Sequence, residues 1–217
     1  MPGGRRSSAT IESMTVPSRP EAASLLASLD PPTWFLAHAC AVADIAAWLA
    51  ARARAAGTAV DRRAVEAAAL LHDVDKILPA SDPARALPHG EGSAAWLRRQ
   101  GHPELGPLVA DHPVTRLADG AAHQRWAAGA SPEARIVAYA DKRAGQRLEP
   151  MADRFAAWSR RYPDSWDAAT GAAVQERAAR LEREVCRLAA STPDAVRRLP
   201  WSRAALRAVA RAARDAA

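Results

Sequence analysis

The chain has 217 residues, 49% hydrophobic and 25% charged, with two cysteines, Cys40 and Cys186. That balance belongs to a folded globular chain long enough to bury roughly 70% of its unfolded surface without staples. Two cysteines exclude a disulfide scaffold and a cysteine-built zinc cage. The formal charge of +6 invites a nucleic-acid partner, but residues 21–152 are near neutral and the excess sits in 1–20 and 153–217.

Residues 1–20 are rich in Ser, Gly, Pro and Arg without periodicity, and read as a flexible N-terminal arm. Their arginines precede no apolar stretch of a secretory signal, and no apolar run approaches the roughly 20 residues of a membrane span. The expectation is therefore a cytoplasmic protein with no membrane partner. Beyond the arm the chain is rich in Ala and Leu, with no sustained period-two alternation, which predicts an all-α fold.

Prolines just inside helix starts mark the elements. Pro20-Glu21 opens a helix to Leu29, and Asp30-Pro31-Pro32 opens a second to about Ala56, stopped at Gly57. Asp61 caps a third helix to about Ile77, and a loop holding Pro79, Pro83 and Pro88 follows. Gly90 or Ser93 starts a fourth helix ending at Gly101, and Pro103 a fifth ending near His112-Pro113. Residues 113–130 read as a loop with at most a short helix. Ser131-Pro132-Glu133 opens a helix to Gly145, and Asp164 or Ser165 caps a long one to about Ala190. Thr192-Pro193-Asp194 and Pro200-Trp201-Ser202 open two more.

Chemistry gathers in the third helix. His72-Asp73 follows the five apolar residues Ala67 to Leu71, and a helix apolar all round lies inside a protein. The dipeptide alone would more often be a capping pair. His38, however, lies on the stripe Phe35, Val42, Ile45 and Leu49, and Asp141 comes one turn after Val137; both face inward. Three helices thus supply nitrogen and oxygen donors with no thiolate, a set suited to Mn, Fe, Zn or Mg.

The order His38, His72-Asp73, Asp141 on a helical bundle resembles the HD-domain metal-dependent phosphohydrolases, over roughly residues 22–155. The resemblance extends to the subset with two further histidines, here His89 in LeuProHisGlyGluGly and His112 in AlaAspHisPro. LeuLeuHisAspValAspLys, HisGly and TyrAlaAspLys are similar to segments of bacterial hydrolases that split diadenosine tetraphosphate symmetrically. The resemblance implies an HD-domain bundle in residues 21–155 and one or two divalent ions. His38, His72 and Asp141 would hold one ion, His89 and His112 the second, and Asp73 both. A hydroxide held between the ions would attack phosphorus in a small phosphorylated substrate, a nucleotide above all.

Lys76 and Lys142 are the only lysines, against 28 arginines, and each lies within three residues of one of these aspartates. Lys76 falls one turn after His72 on the same face, where it can point at phosphate. Arg143 is a second candidate clamp; for Lys142 the alternative is a surface ion pair. Asp75 stands where the common HD-x-Gly-Lys form has glycine, and reads as facing solvent. Asp111 reads as a solvated helix-end residue, His102 and His123 as surface residues, and Cys40 as core.

Residues 156–217 form an Arg-rich helical extension outside the resemblance. Arg203, Arg207, Arg211 and Arg214 share one face of its last helix, which reads as solvated, with nucleic acid as the alternative ligand. The stripe Trp166, Ala169, Ala173, Leu181, Val185 and Leu188 of the long helix could pack on the bundle or on a second subunit, which leaves a homodimer open. Two functional alternatives stand beside the hydrolase: a silent module that binds a nucleotide signal, and a nucleic-acid binder acting through the basic helices.

Overall fold

The computed structural model describes residues 16–144, 150–161 and 166–199. The Arg203–Arg214 face and residues 1–15 of the arm lie outside the described residues. Every described element is helical: α1 (Arg19–Ala27), α2 (Thr33–Ala55), α3 (Arg62–Leu71), α4 (Glu91–Arg99), α5 (Gly106–Val109), α6 (Gly120–Gly129), α7 (Pro132–Arg143), α8 (Met151–Arg161), α9 (Ala168–Leu188) and α10 (Pro193–Arg197), joined in places by 3₁₀ turns.

Helix α2 is the centre of the bundle and packs against α3 and α7. Phe35, Val42, Ile45 and Leu49 of its stripe are fully buried. Its 23 residues have a window of mean hydropathy 1.5, long and apolar enough to cross a membrane by length and composition alone. The sequence reading expected no such stretch. The apolar excess arises because α2 is packed on several sides at once, with small Ala39, Ala43, Ala46 and Ala50 admitting its neighbours.

The starts of helices follow local chemistry. Ser18 and Glu21 form a reciprocal capping box on α1. Asp61 accepts from the N–H groups of Arg63 and Ala64 at 2.9 and 3.1 Å, and Ser131 accepts from Ala134 N–H. A few boundaries depart from expectation. Helix α3 stops at Leu71, and Val74–Lys76 is a separate 3₁₀ turn, because Asp73 leaves helical geometry at φ −108°, ψ 10°. The expected fifth helix is a 3₁₀ turn over Pro103–Leu105 followed by the single turn of α5. Residues 113–130 contain the ten-residue α6, capped by Asp119, whose carboxylate accepts from Ala122 N–H at 2.9 Å. Helix α8 covers a stretch to which no element was assigned from sequence. Helix α9 starts after Asp167, which accepts from Thr170 N–H at 2.7 Å, and it packs on α7 and α8.

Candidate metal centre

Five segments converge on one point. Helix α2 brings His38, the end of α3 brings His72 and Asp73, and the turn before α4 brings His89. His112 follows α5, and Asp141 lies in the last turn of α7. Asp73 sits between two groups of donors. Its Oδ2 lies 3.4 Å from His38 Nε2 and 3.5 Å from His72 Nε2. Its Oδ1 lies 3.2 Å from His89 Nε2 and 3.1 Å from His112 Nε2. Asp141 Oδ1 completes the first group, 3.5 Å from His38 Nε2 and 3.6 Å from His72 Nε2. The two nitrogens of His38 and His72 face each other at 3.3 Å.

These separations fit metal ligands. Donors bonded at about 2.1 Å to one ion stand roughly 3.0–3.4 Å from their neighbours. The sets His38, His72, Asp141 and His72, Asp73, His112 each place one donor atom per residue within 4.8 Å of the others. The tautomers fit as well. His72 Nδ1–H donates to the carbonyl of Ala69 at 2.8 Å, and His112 Nδ1–H to that of Val109 at 2.6 Å. Both rings therefore turn an Nε2 lone pair toward the carboxylates, as a ligating imidazole must.

Within this cluster the carboxylates and imidazoles shift one another's protonation. Burial alone would raise the Asp73 carboxyl, but the imidazoles of His72, His112, His38 and His89 hold it well below the usual carboxylate range. Asp141 is held down in the same way against its burial, by His38 and His72. Burial disfavours charge on His38 and His89, yet their carboxylate neighbours outweigh it and raise both to about 9. Burial leaves His112 below its ordinary value.

The HD domain family model matches residues 35–145, just over half of the chain. The chain belongs to the HD domain family. No curated protein and no solved structure matches it. The matched HD segment runs from α2 to α7 and contains all six of the converging residues.

The HD centre opens on one side. The His72 and His112 side chains have no exposure and Asp73 has 3%, whereas Asp141 has 16%, His38 19%, His89 33% and Lys76 45%. Lys76 Nζ donates to Asp73 Oδ2 at 2.7 Å, so a cation stands at the mouth.

Four expectations about single residues are corrected. Arg143 is not at the mouth: it is buried, and it donates to Glu182 at 2.7 Å, to Tyr139 Oη at 3.0 Å and to the Pro193 carbonyl at 3.1 Å. Its charge is spent joining α7 to α9 and α10. Lys142 neither stands at the mouth to meet phosphate nor forms a surface ion pair; it is buried, donates to the carbonyls of His112 and Ala138 at 2.5 and 3.2 Å, and burial lowers it to about 8. Asp75 does not face solvent. It is buried, 3.0 Å from His89 Nδ1, and accepts from Gly90 N–H at 2.7 Å. His123 is buried on α6 with its ring 5.7 Å from that of Trp126. Asp111 is partly exposed, 3.2 Å from Arg116 Nε, His102 is half-buried, and Cys40 is half-buried against the core.

Asp75 is the residue that sequence reasoning misjudged at the centre. A signal existed in the very departure from glycine: a carboxylate two residues from Asp73 needs a partner, and His89 was already assigned nearby.

Proposed function

We propose that the protein is a metal-dependent phosphohydrolase that cleaves a phosphoester or phosphoanhydride of a nucleotide, with two divalent ions among Fe, Mn, Zn and Mg. One observation carries this reading: the two oxygens of Asp73 face separate histidine pairs, His38 with His72 and His89 with His112. His38, His72 and Asp141 would hold one ion, His89 and His112 the other, and Asp73 would touch both. The ions would supply the Lewis acidity that lowers the pKa of water and offsets the charge developing on phosphoryl oxygens.

The chain's own residues do the rest. His72 and His112 keep their tautomers through their carbonyl bonds, so the donor set needs no rearrangement. Lys76 places a positive charge beside Asp73 on the open side, where an anionic phosphate would arrive. Trp34 supports a nucleotide. It is 55% exposed at the start of α2, one turn before His38 and on the same side of that helix, where a flat aromatic face would be available to stack on a base.

The test is elemental analysis of protein purified without chelator, followed by a panel of nucleotides and simple phosphoesters with each metal. Release of phosphate or nucleotide that vanishes in His72→Ala and Asp73→Ala is the expected result. Full turnover in either variant would refute the reading.

A further inference from the structure

Asp75 makes more contacts than a spectator would. One carboxylate oxygen, Oδ1, lies 3.0 Å from His89 Nδ1, and the other accepts from Gly90 N–H at 2.7 Å. The backbone N–H of Asp75 donates to Ser93 Oγ, itself buried, at 3.2 Å. Gly92 forms the wall behind it. A Cβ there would stand 2.8 Å from Asp75 Cβ and 2.5 Å from the Ala84 carbonyl. Gly90, at φ +87°, makes the turn that presents its N–H to the carboxylate.

His89 needs such a partner more than His72 and His112 do. His72 and His112 each bond a carbonyl three residues earlier. His89 lies between Pro88 and Gly90 outside any helix, and its side chain is the most exposed of the four imidazoles. Without a hold on Nδ1, its ring could turn either nitrogen inward. Resting on the two-ion reading, we propose that Asp75 is a positioning residue that builds the second half of the centre by fixing the ring and tautomer of His89. With the proton held on Nδ1 toward Asp75, the Nε2 lone pair is left facing Asp73 Oδ1, 3.2 Å away. An anionic partner also makes the ring a stronger donor than a carbonyl would. Asp73, Asp75 and His89 each offer one donor atom within 4.8 Å of the others, but both oxygens of Asp75 are engaged by His89 Nδ1 and Gly90 N–H, which assigns Asp75 to positioning rather than to ligation.

The test is titration of metal-free full-length protein with Zn(II) alone, in wild type, Asp75→Ala and Asp75→Asn. Asp75→Ala should weaken the second ion about 10–100-fold, while the first changes less than about threefold. Asp75→Asn should weaken it in the same direction, since its NH₂ must face one of the two N–H donors, and this isosteric variant carries the test if the alanine variant fails to fold. In a His89→Ala background, Asp75→Ala should cost nothing more at that site. Equal weakening of both ions, or additive losses with His89→Ala, would overturn the proposal. A second readout needs no metal: the downfield imidazole N–H proton of His89 should be visible by NMR in wild type and lost in Asp75→Ala. Its absence in wild type overturns the role of Asp75. A wild type that binds only one ion overturns the two-ion reading instead, and the imidazole proton then decides the role of Asp75 on its own.

Discussion

Asp73 is buried among four imidazoles, and its two oxygens are divided between them. In the metal-free protein this favours protons on His38 and His89, both raised to about 9. The sign of the pH effect follows. A raised folded pKa contributes stability that is fully present below the ordinary histidine value near 6.5 and is lost as pH rises through 9. Metal uptake runs the other way, because a ligating imidazole must be neutral. The apparent affinity of each ion should therefore fall about tenfold per pH unit below 9, one displaced proton per ion. Calorimetric titration in buffers of different ionisation enthalpy would count those protons. Trp34 gives a second prediction at this scale. Trp34→Ala should raise KM severalfold for nucleotides and leave KM for a small phosphoester without a base unchanged.

His38 and Asp141 were legible from sequence because each sits on an apolar helix face whose direction the helical period sets, and His72-Asp73 because an apolar run delivers it inward; His89 and His112 lie outside helices and were legible only through the family resemblance. The roles of Arg143, Lys142 and Asp75 were not, because their partners come from other segments: Glu182 from α9, the carbonyl of His112, and His89. Proximity in sequence to a presumed ligand does not say whether a cation points at substrate or into the body.

At the level of elements the same division holds. Helix starts at Asp61 and Ser131 could be read because a capping side chain and the N–H it accepts from lie within three residues of each other. The end of α3 could not, since it stops where Asp73 turns toward the centre, a demand made by distant histidines. Helix α6 was expected at most as a short helix, although Asp119-Gly120 marks its start and its ten residues form a full helix. The joint between α7 and α9 makes a direct prediction. Arg143→Ala leaves Glu182 without its cation and opens space beneath α9. It should destabilise the protein by about 3 kcal/mol, measured by urea unfolding, with KM of the folded enzyme unchanged. A phosphate clamp would show the reverse pattern.

For the whole molecule, ion binding and folding are linked. The six converging residues span positions 38 to 141, so the donor set exists only when α2, α3 and α7 are packed together. Ions that bind only the folded chain add stability as their concentration rises, about 2.7 kcal/mol at a hundred times Kd. Chelation should accordingly lower the melting temperature by several degrees, and by less in His72→Ala, which keeps only the half built by His89 and His112. Differential scanning calorimetry checks both. The formal charge of +6 bears little on this centre, since the matched segment lies within the near-neutral part of the chain.

The place of Asp75 has one more consequence, in the electrostatic balance of the loaded centre. Each half has a carboxylate of its own, Asp141 beside His38 and His72, and Asp75 behind His89, while Asp73 is common to both. Under the two-ion reading, two dications would outweigh the three carboxylates, and Lys76 adds a cation at the open side. A phosphate anion would meet that positive surplus, and a neutral ester would not. Selection for charged phosphate over its neutral analogues would thus follow from the count of aspartates before any wall of the pocket is considered.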